Sequence, residues 1–263
     1  MISNKRISYL VIELWVKFCD TFGTSIIHPQ YIIRKLQEEA VVEAEKYAKG
    51  NLVDIGCGRM PYRKRLDPLV DSYTGVDHPK VSKLYKSDKK PEVFADARKL
   101  PFNDNSFDIG LMFQVLEHVD DPEKVVNEAA RVLKPGGFLI ISVPFLYPLH
   151  DMPYDVGRYT KTALAGFVDR SNLYLVKIKS QGGFFDFLAV SLNTFLAKRI
   201  KDIILSRLNL ISCALLIFYV LISLPIILLN NFLSLIVRSL CGRLPSYPNY
   251  FPLDYLVIAK KKA

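Results

Sequence analysis

The stretch LVDIGCG, residues 52–58, decides the reading of this chain. A short apolar run ends in a glycine turn, which is how a buried strand brings backbone amides close to a ligand at the carboxyl edge of a sheet. A dinucleotide-binding GxGxxG loop is the rival reading, but Pro61 stands where its third glycine would be.

Outward from this turn, apolar runs at 73–76, 93–95, 107–113, 138–143 and 174–178 alternate with polar or helical stretches. That rhythm predicts a mostly parallel sheet with helical crossovers on both faces. Upstream, residues 30–49 place Ile33, Leu36, Ala40, Val41 and Ala44 at helical spacing, with Gly50 as the expected breaker. Downstream, Asp121 and Pro122 open a helix that the LKPGG turn, ending at Gly137, is expected to close. The segment DYLVIAKKK from Asp254 reads as a final strand with a basic tail.

Taken in order, DIGCG, the GVD that ends at Asp77, the DARKLPF element from Asp96 and LKPGG make the chain resemble the class I S-adenosylmethionine (SAM)-dependent methyltransferases, in the group of the type 11 domain. The resemblance covers roughly residues 50–180 and a returning strand near 254–260. It implies a Rossmann-like α/β fold: a seven-stranded, mostly parallel sheet with helices on both faces. It also implies SAM as cofactor, with Asp54, Gly56 and Gly58 around the methionine part, Asp77 on the ribose hydroxyls, Asp96 and Ala97 at the adenine, and Gln114 nearest the methionine moiety. The chain departs from many relatives in continuing as GRMPYRKRL, where Pro61 shortens the following helix.

Methyl transfer from a sulfonium is an in-line displacement that needs alignment and, for a hydroxyl acceptor, removal of a proton. His118, in QVLEH, and His150 are the histidines placed at the carboxyl edge and are the candidate bases. The polar, aromatic segment 144–160 is expected to wall the acceptor site, with Tyr154, Arg158 and Tyr159 as substrate contacts and Arg158 as an anion clamp. Related methyltransferases carry a similar H-D-x-x-R-[YF]-T pattern as structural support, so both roles stand open.

Composition narrows the setting. Half the residues are hydrophobic, 12% are aromatic and the net charge is +9, so the chain folds and its basic excess needs a partner of opposite sign. Four scattered cysteines form no CxxC pair, giving no metal-ligand spacing and fitting a reducing compartment. Nucleic acid is disfavoured: the Pro-Pro-Tyr motif of base amine methylation and the Pro-Cys of cytosine-C5 enzymes are absent, and the basic stretch 80–90 reads as a solvated loop.

The start, MISNKRISYLVIELWVKF, is interrupted by Glu13 and Lys17 and reads as an amphipathic helix rather than a signal peptide. The organisation read from the chain is an N-terminal helical region over 1–49, a SAM-binding domain over 50–183, a hydrophobic helical insertion over 184–243, and a returning strand with its tail over 244–263.

Between Arg207 and Arg238 lie 30 uncharged residues, long enough to cross a bilayer core of about 30 Å. If the strands on either side of the insertion pair in one sheet, both of its ends must lie on one side of a membrane. Basic flanks at Lys198, Arg199, Lys201, Arg207, Arg238 and Arg243 agree. A re-entrant or interfacial hairpin broken at Pro225 or at Asn230-Asn231 is the expectation, meeting the membrane through residues 203–240 at its cytoplasmic face. The other reading buries the insertion against its own domain or a homodimer partner, in the cytoplasm. The acceptor expected from the first reading is small or lipid-linked: a glycan, a polyisoprenoid or quinone precursor, or a lipid. The competing functions are a soluble RNA methyltransferase with a hydrophobic dimer arm and a SAM-binding membrane scaffold without turnover.

Overall fold

A computed structural model describes residues 25–80, 90–205, 210–241 and 250–263. The expected N-terminal amphipathic helix and the loop 81–89 lie outside the described residues. The chain divides into two compact units, an α/β unit of 38–181 with 252–263 and a helical unit from the described parts of 1–37 and 182–251.

In the α/β unit the strands are β1 (Asn51–Ile55), β2 (Ser72–Asp77), β3 (Val93–Phe94), β4 (Phe107–Phe113), β5 (Leu133–Pro144), β6 (Leu173–Gln181) and β7 (Asp254–Lys261). They form one sheet in the order β3-β2-β1-β4-β5-β7-β6. All neighbours are parallel except β7, which runs antiparallel to both β5 and β6.

Helix α1 (Tyr31–Glu45) straddles the division between the units, and α2 (Arg63–Leu66), α3 (Pro122–Val132) and α4 (Lys161–Arg170) complete the α/β unit. Successive strand residues point to opposite faces, and here both faces are covered. Val53, Met112, Leu139, Ile141 and Val257 pack with Val125, Ala129, Leu164 and Val168 of α3 and α4. Leu52, Leu111, Ile140 and Ile258 pack on the other face with Ala40, Val41 and Ala44 of α1. This is the mostly parallel sheet that the apolar rhythm predicts and the seven-stranded Rossmann-like fold that the resemblance implies, and α2 is the single short turn that Pro61 leaves room for.

Two local expectations are corrected. The LKPGG segment lies within β5 as an irregularity: Phe107 pairs with Leu133 but Ile109 with Phe138, and Gly136 takes φ +78° to make the detour. Lys134 Nζ then reaches Asp108 Oδ2 at 2.7 Å and pins it. Gly50 does not end α1, which stops at Glu45; it turns the chain into β1 with φ +57°, and its carbonyl accepts the Asp71 N–H.

The helical unit contains α5 (Phe184–Leu205) and α6 (Leu210–Cys241). The expected break is overturned, because α6 runs unbroken through Pro225, Asn230 and Asn231. The two asparagines are held from outside the helix. Asn193 of α5 donates to Asn231 Oδ1 at 2.9 Å, Asn230 donates to Asn193 Oδ1 at 3.0 Å, and Asn231 donates to the carbonyls of Ile26 and His28. Ser234 likewise donates to Asp186.

The side chains of this unit are inverted relative to a water-facing helix. Ser223, Ile227, Asn231 and Ser234 form the buried stripe of α6, while Phe218, Leu221, Leu228, Leu229, Phe232 and Leu233 are exposed. An amphipathic helix in water shows the reverse pattern.

Candidate functional site

The order of the sheet changes direction between β1 and β4, and it is outside the carboxyl ends of strands at such a switch point that open α/β sheets bind ligands. The turn after β1 is shaped for this. Gly56 and Gly58 take φ +70° and +55°, in the left-handed region that side chains avoid. The N–H groups of Gly56 and Cys57 both donate to Val76 O, fastening the turn to β2. A Cβ on Gly56 would meet Val115 Cγ2 at 2.5 Å, so the turn after β1 abuts the turn after β4. Beside Gly58 there is nothing within 4 Å of where a Cβ would stand.

The acidic residues expected around this turn occupy three different settings. Asp54 is fully buried and accepts the Tyr73 hydroxyl; burial pushes its carboxyl up to about 7. Asp77, at the end of β2, accepts the N–H of Gly58 at 3.1 Å and of His78 at 2.7 Å, tying the glycine turn to the second strand. Asp96 is clasped by the Arg98 guanidinium, which holds its carboxyl down at about 2. Ala97 packs against the core beneath. Gln114 leaves β4 with φ +56°, and its amide nitrogen lies 3.1 Å from Ser142 Oγ and 3.4 Å from Asp254 Oδ2.

Past Gln114 the chain makes a turn, Leu116–His118, onto which the segment 144–160 is fastened. The N–H groups of Val156 and Gly157 donate to Glu117 O at 2.8 and 3.1 Å, and the Tyr159 hydroxyl donates to Leu116 O at 3.1 Å. Arg158 grips both oxygens of Asp155, which also accepts the His150 N–H at 2.9 Å. The expected anion clamp is thus engaged inside its own loop, where the guanidinium holds Asp155 far below the usual carboxylate range. Tyr159 has the same bracing role, whereas Tyr154 is largely exposed.

This bracing brings His118 and His150 together, with ring centroids 5.3 Å apart and nearly perpendicular. His118 Nδ1 lies 3.1 Å from the Tyr154 carbonyl, and burial lowers the His150 imidazole below its ordinary value. Between them lies Glu117, which sequence reasoning passed over because a carboxylate next to a histidine in a polar turn is expected to face water. It is fully buried, and burial pushes its carboxyl up to about 8. Asp254 and Ser142 were missed as well, since only the pairing of β5 with β7 carries them to Gln114.

Residues 53–141 match the methyltransferase domain family, and the match spans the glycine turn, Asp77, Asp96 and Gln114. The α/β unit belongs to the class I SAM-dependent methyltransferases. Within this family the cofactor is SAM, and the glycine turn with open space beside Gly58 and Asp77 at its rim suits the methionine and ribose parts of that molecule. The chain is 35% identical over 111 residues to 27-O-demethylrifamycin SV methyltransferase of Amycolatopsis mediterranei, covering 38% of this chain and 41% of that one. It is 33% identical over 98 residues to the sterol 4-C-methyltransferase strm-1 of Caenorhabditis elegans, covering 34% and 29%. A SAM-dependent methyltransferase from Mesorhizobium loti shares the fold at TM-score 0.51 and 15% identity, over 86% of this chain and all of that one. The chain spans about half the length of the curated relatives it matches.

Proposed function

We propose that this chain is a SAM-dependent methyltransferase seated on the cytoplasmic face of a membrane, with a lipid or lipid-linked molecule as acceptor. Bound SAM supplies a methyl group made transferable by its sulfonium. The chain's own contribution is placement: the turn at Gly56–Gly58 and the carboxylate of Asp77 hold the cofactor's two ends, and Gln114 faces the methionine part. His118 and His150 lie at the mouth formed by segment 144–160, where the acceptor's proton must leave.

The observation that carries the membrane reading is the inverted hairpin of α5 and α6. Its polar side chains Asn193, Asn231, Ser234 and Asp186 bond to one another or to the backbone of Ile26 and His28, and the exposed face of α6 over 215–233 is apolar. Hydrogen bonds within and hydrocarbon without is the pattern a bilayer selects. Among the described residues one helix, over Ala214–Leu240, is long and apolar enough to cross a membrane. A transverse crossing is nevertheless disfavoured. The pairing of Asn193 with Asn230 and Asn231 sets the hairpin register, and Lys198 and Arg199, a little over one turn further along α5, then stand level with the middle of the apolar run. Two cations at mid-bilayer cost several kcal/mol (about 2.5–3.5 each), whereas a hairpin lying in the interface leaves them among headgroups. The sterol acceptor in the name of one relative is a membrane lipid, which favours the same class.

Flotation of the full chain with vesicles tests the placement. Binding to phosphatidylglycerol-containing vesicles, weaker on phosphatidylcholine alone and abolished in Phe218→Ser/Leu221→Ser/Phe232→Ser with cofactor affinity retained, is expected. Radiolabelled SAM incubated with a cell extract should label the lipid fraction. Label confined to RNA, or a triple variant that still floats, would overturn the reading.

A further inference from the structure

The geometry points to a divalent transition-metal site formed by Glu117, His118 and His150, a site that does not depend on the membrane reading. One ligand-capable atom from each of the three lies within 4.8 Å of the others. Around a shared ion with bonds of about 2.0–2.2 Å such atoms stand roughly 3.3 Å apart, so small side-chain rotations close the set.

Three features favour an ion over a bare cluster. The first is Glu117 itself, which is fully buried with neither carboxylate oxygen bonded to another residue. A proton would cancel its charge but would leave both oxygens without a partner, and each buried unmet group costs about 1–3 kcal/mol. A cation satisfies both demands.

The second is the orientation of His118. A carbonyl oxygen can only accept, so the Tyr154 carbonyl 3.1 Å from Nδ1 places the proton of a neutral imidazole there. The bare nitrogen is then Nε2, which lies 3.8 Å from Glu117 Oε1. Fixing a ligand histidine's tautomer through its other nitrogen is the usual work of an outer shell around a metal. His150 Nδ1 lies 3.1 Å from Asp155 Oδ2 without a hydrogen bond to it, and Arg158 locks that carboxylate in place.

The third is openness on one side. Glu117 has no solvent exposure, while the side chains of His118 and His150 retain 27% and 23%. An ion here would be backed by protein and open towards solvent, with positions left for an acceptor oxygen. Two imidazoles and one carboxylate suit zinc, iron or cobalt in the divalent state rather than magnesium or calcium.

The set is invisible as a spacing in the sequence, because His150 joins Glu117 and His118 only through the docking of segment 144–160 onto the turn after β4. The experiment is titration of the chelator-treated full chain with Co(II), followed by visible absorption, with Zn(II) in competition. One equivalent of Co(II) giving d–d bands that Zn(II) displaces, with affinity lowered at least tenfold in Glu117→Gln and in His150→Asn, is expected. S-adenosylhomocysteine binding by each variant verifies that it folds. Absence of bands, or bands unchanged in both folded variants, would overturn the site and leave Glu117 a buried, proton-bearing acid.

Discussion

The Cβ that Gly56 lacks would stand 2.5 Å from Cγ2 of Val115, so the turns following β1 and β4 meet with no room for a side chain between them. That contact closes the turn proposed to hold the cofactor, and Gly56 also holds φ +70°. Gly56→Ala therefore carries both backbone strain and overpacking, each about 1–3 kcal/mol. Thermal unfolding should fall by about 5–15 °C, with S-adenosylhomocysteine binding lost at ordinary concentrations. Adding Val115→Ala should restore part of the stability, since it removes the clash and leaves the strain. No recovery in the double variant would mean that the strain alone decides.

Asp77 is the acceptor at the end of β2 that ties down the Gly58 N–H. Hydrogen bonds to a charged group contribute about 1.5–3 kcal/mol, so Asp77→Ala should weaken S-adenosylhomocysteine binding roughly ten- to a hundredfold in calorimetric titration. Unchanged affinity would remove Asp77 from the cofactor site.

Asp54 gives a pH signature. Burial raises its folded pKa to about 7, against about 4 in the unfolded chain, so between these values the folded state binds the extra proton. The stability this contributes is present below about pH 4 and declines as pH rises towards about 7. Asp54→Asn keeps an acceptor for the Tyr73 hydroxyl and removes the titration. The variant should therefore lose less stability than the parent between pH 5 and pH 7.5 in denaturant melts, and parallel curves would refute the assignment.

In the helical unit, Asn193 is the hub that meets both Asn230 and Asn231. Asn193→Ala leaves the buried Asn231 amide and the half-buried Asn230 amide short of a partner, at about 1–3 kcal/mol for the buried one. The expected outcome is faster proteolysis of α5 and α6 in detergent, with cofactor binding by the methyltransferase unit unaltered.

Much of this was legible in the chain itself. Short continuous apolar runs separated by helical crossovers can be satisfied by few architectures, so the mostly parallel sheet followed from LVDIGCG and its successors. The placing of Gly56, Gly58, Asp77, Asp96 and Gln114 at or just past strand ends was legible, because the strands that carry them are marked by local apolar runs. The path of α6 was not legible. Pro225 and the Asn230-Asn231 pair look like breakers locally, yet the helix runs through all three, and Asn193, Ile26 and His28 supply the asparagines with tertiary partners that no local rule contains.

What the sequence determined by itself is therefore the sheet, its glycine turn and the family, since these rest on local periodicity and on residues close along the chain. Tertiary structure alone decided three things. It turned Arg158 inward as a strut to Asp155, buried Glu117 beneath segment 144–160 beside His118 and His150, and faced the polar residues of α5 and α6 towards each other. Each depends on contacts between residues distant in the chain, where burial rather than residue type sets whether a polar group meets water, a partner or an ion.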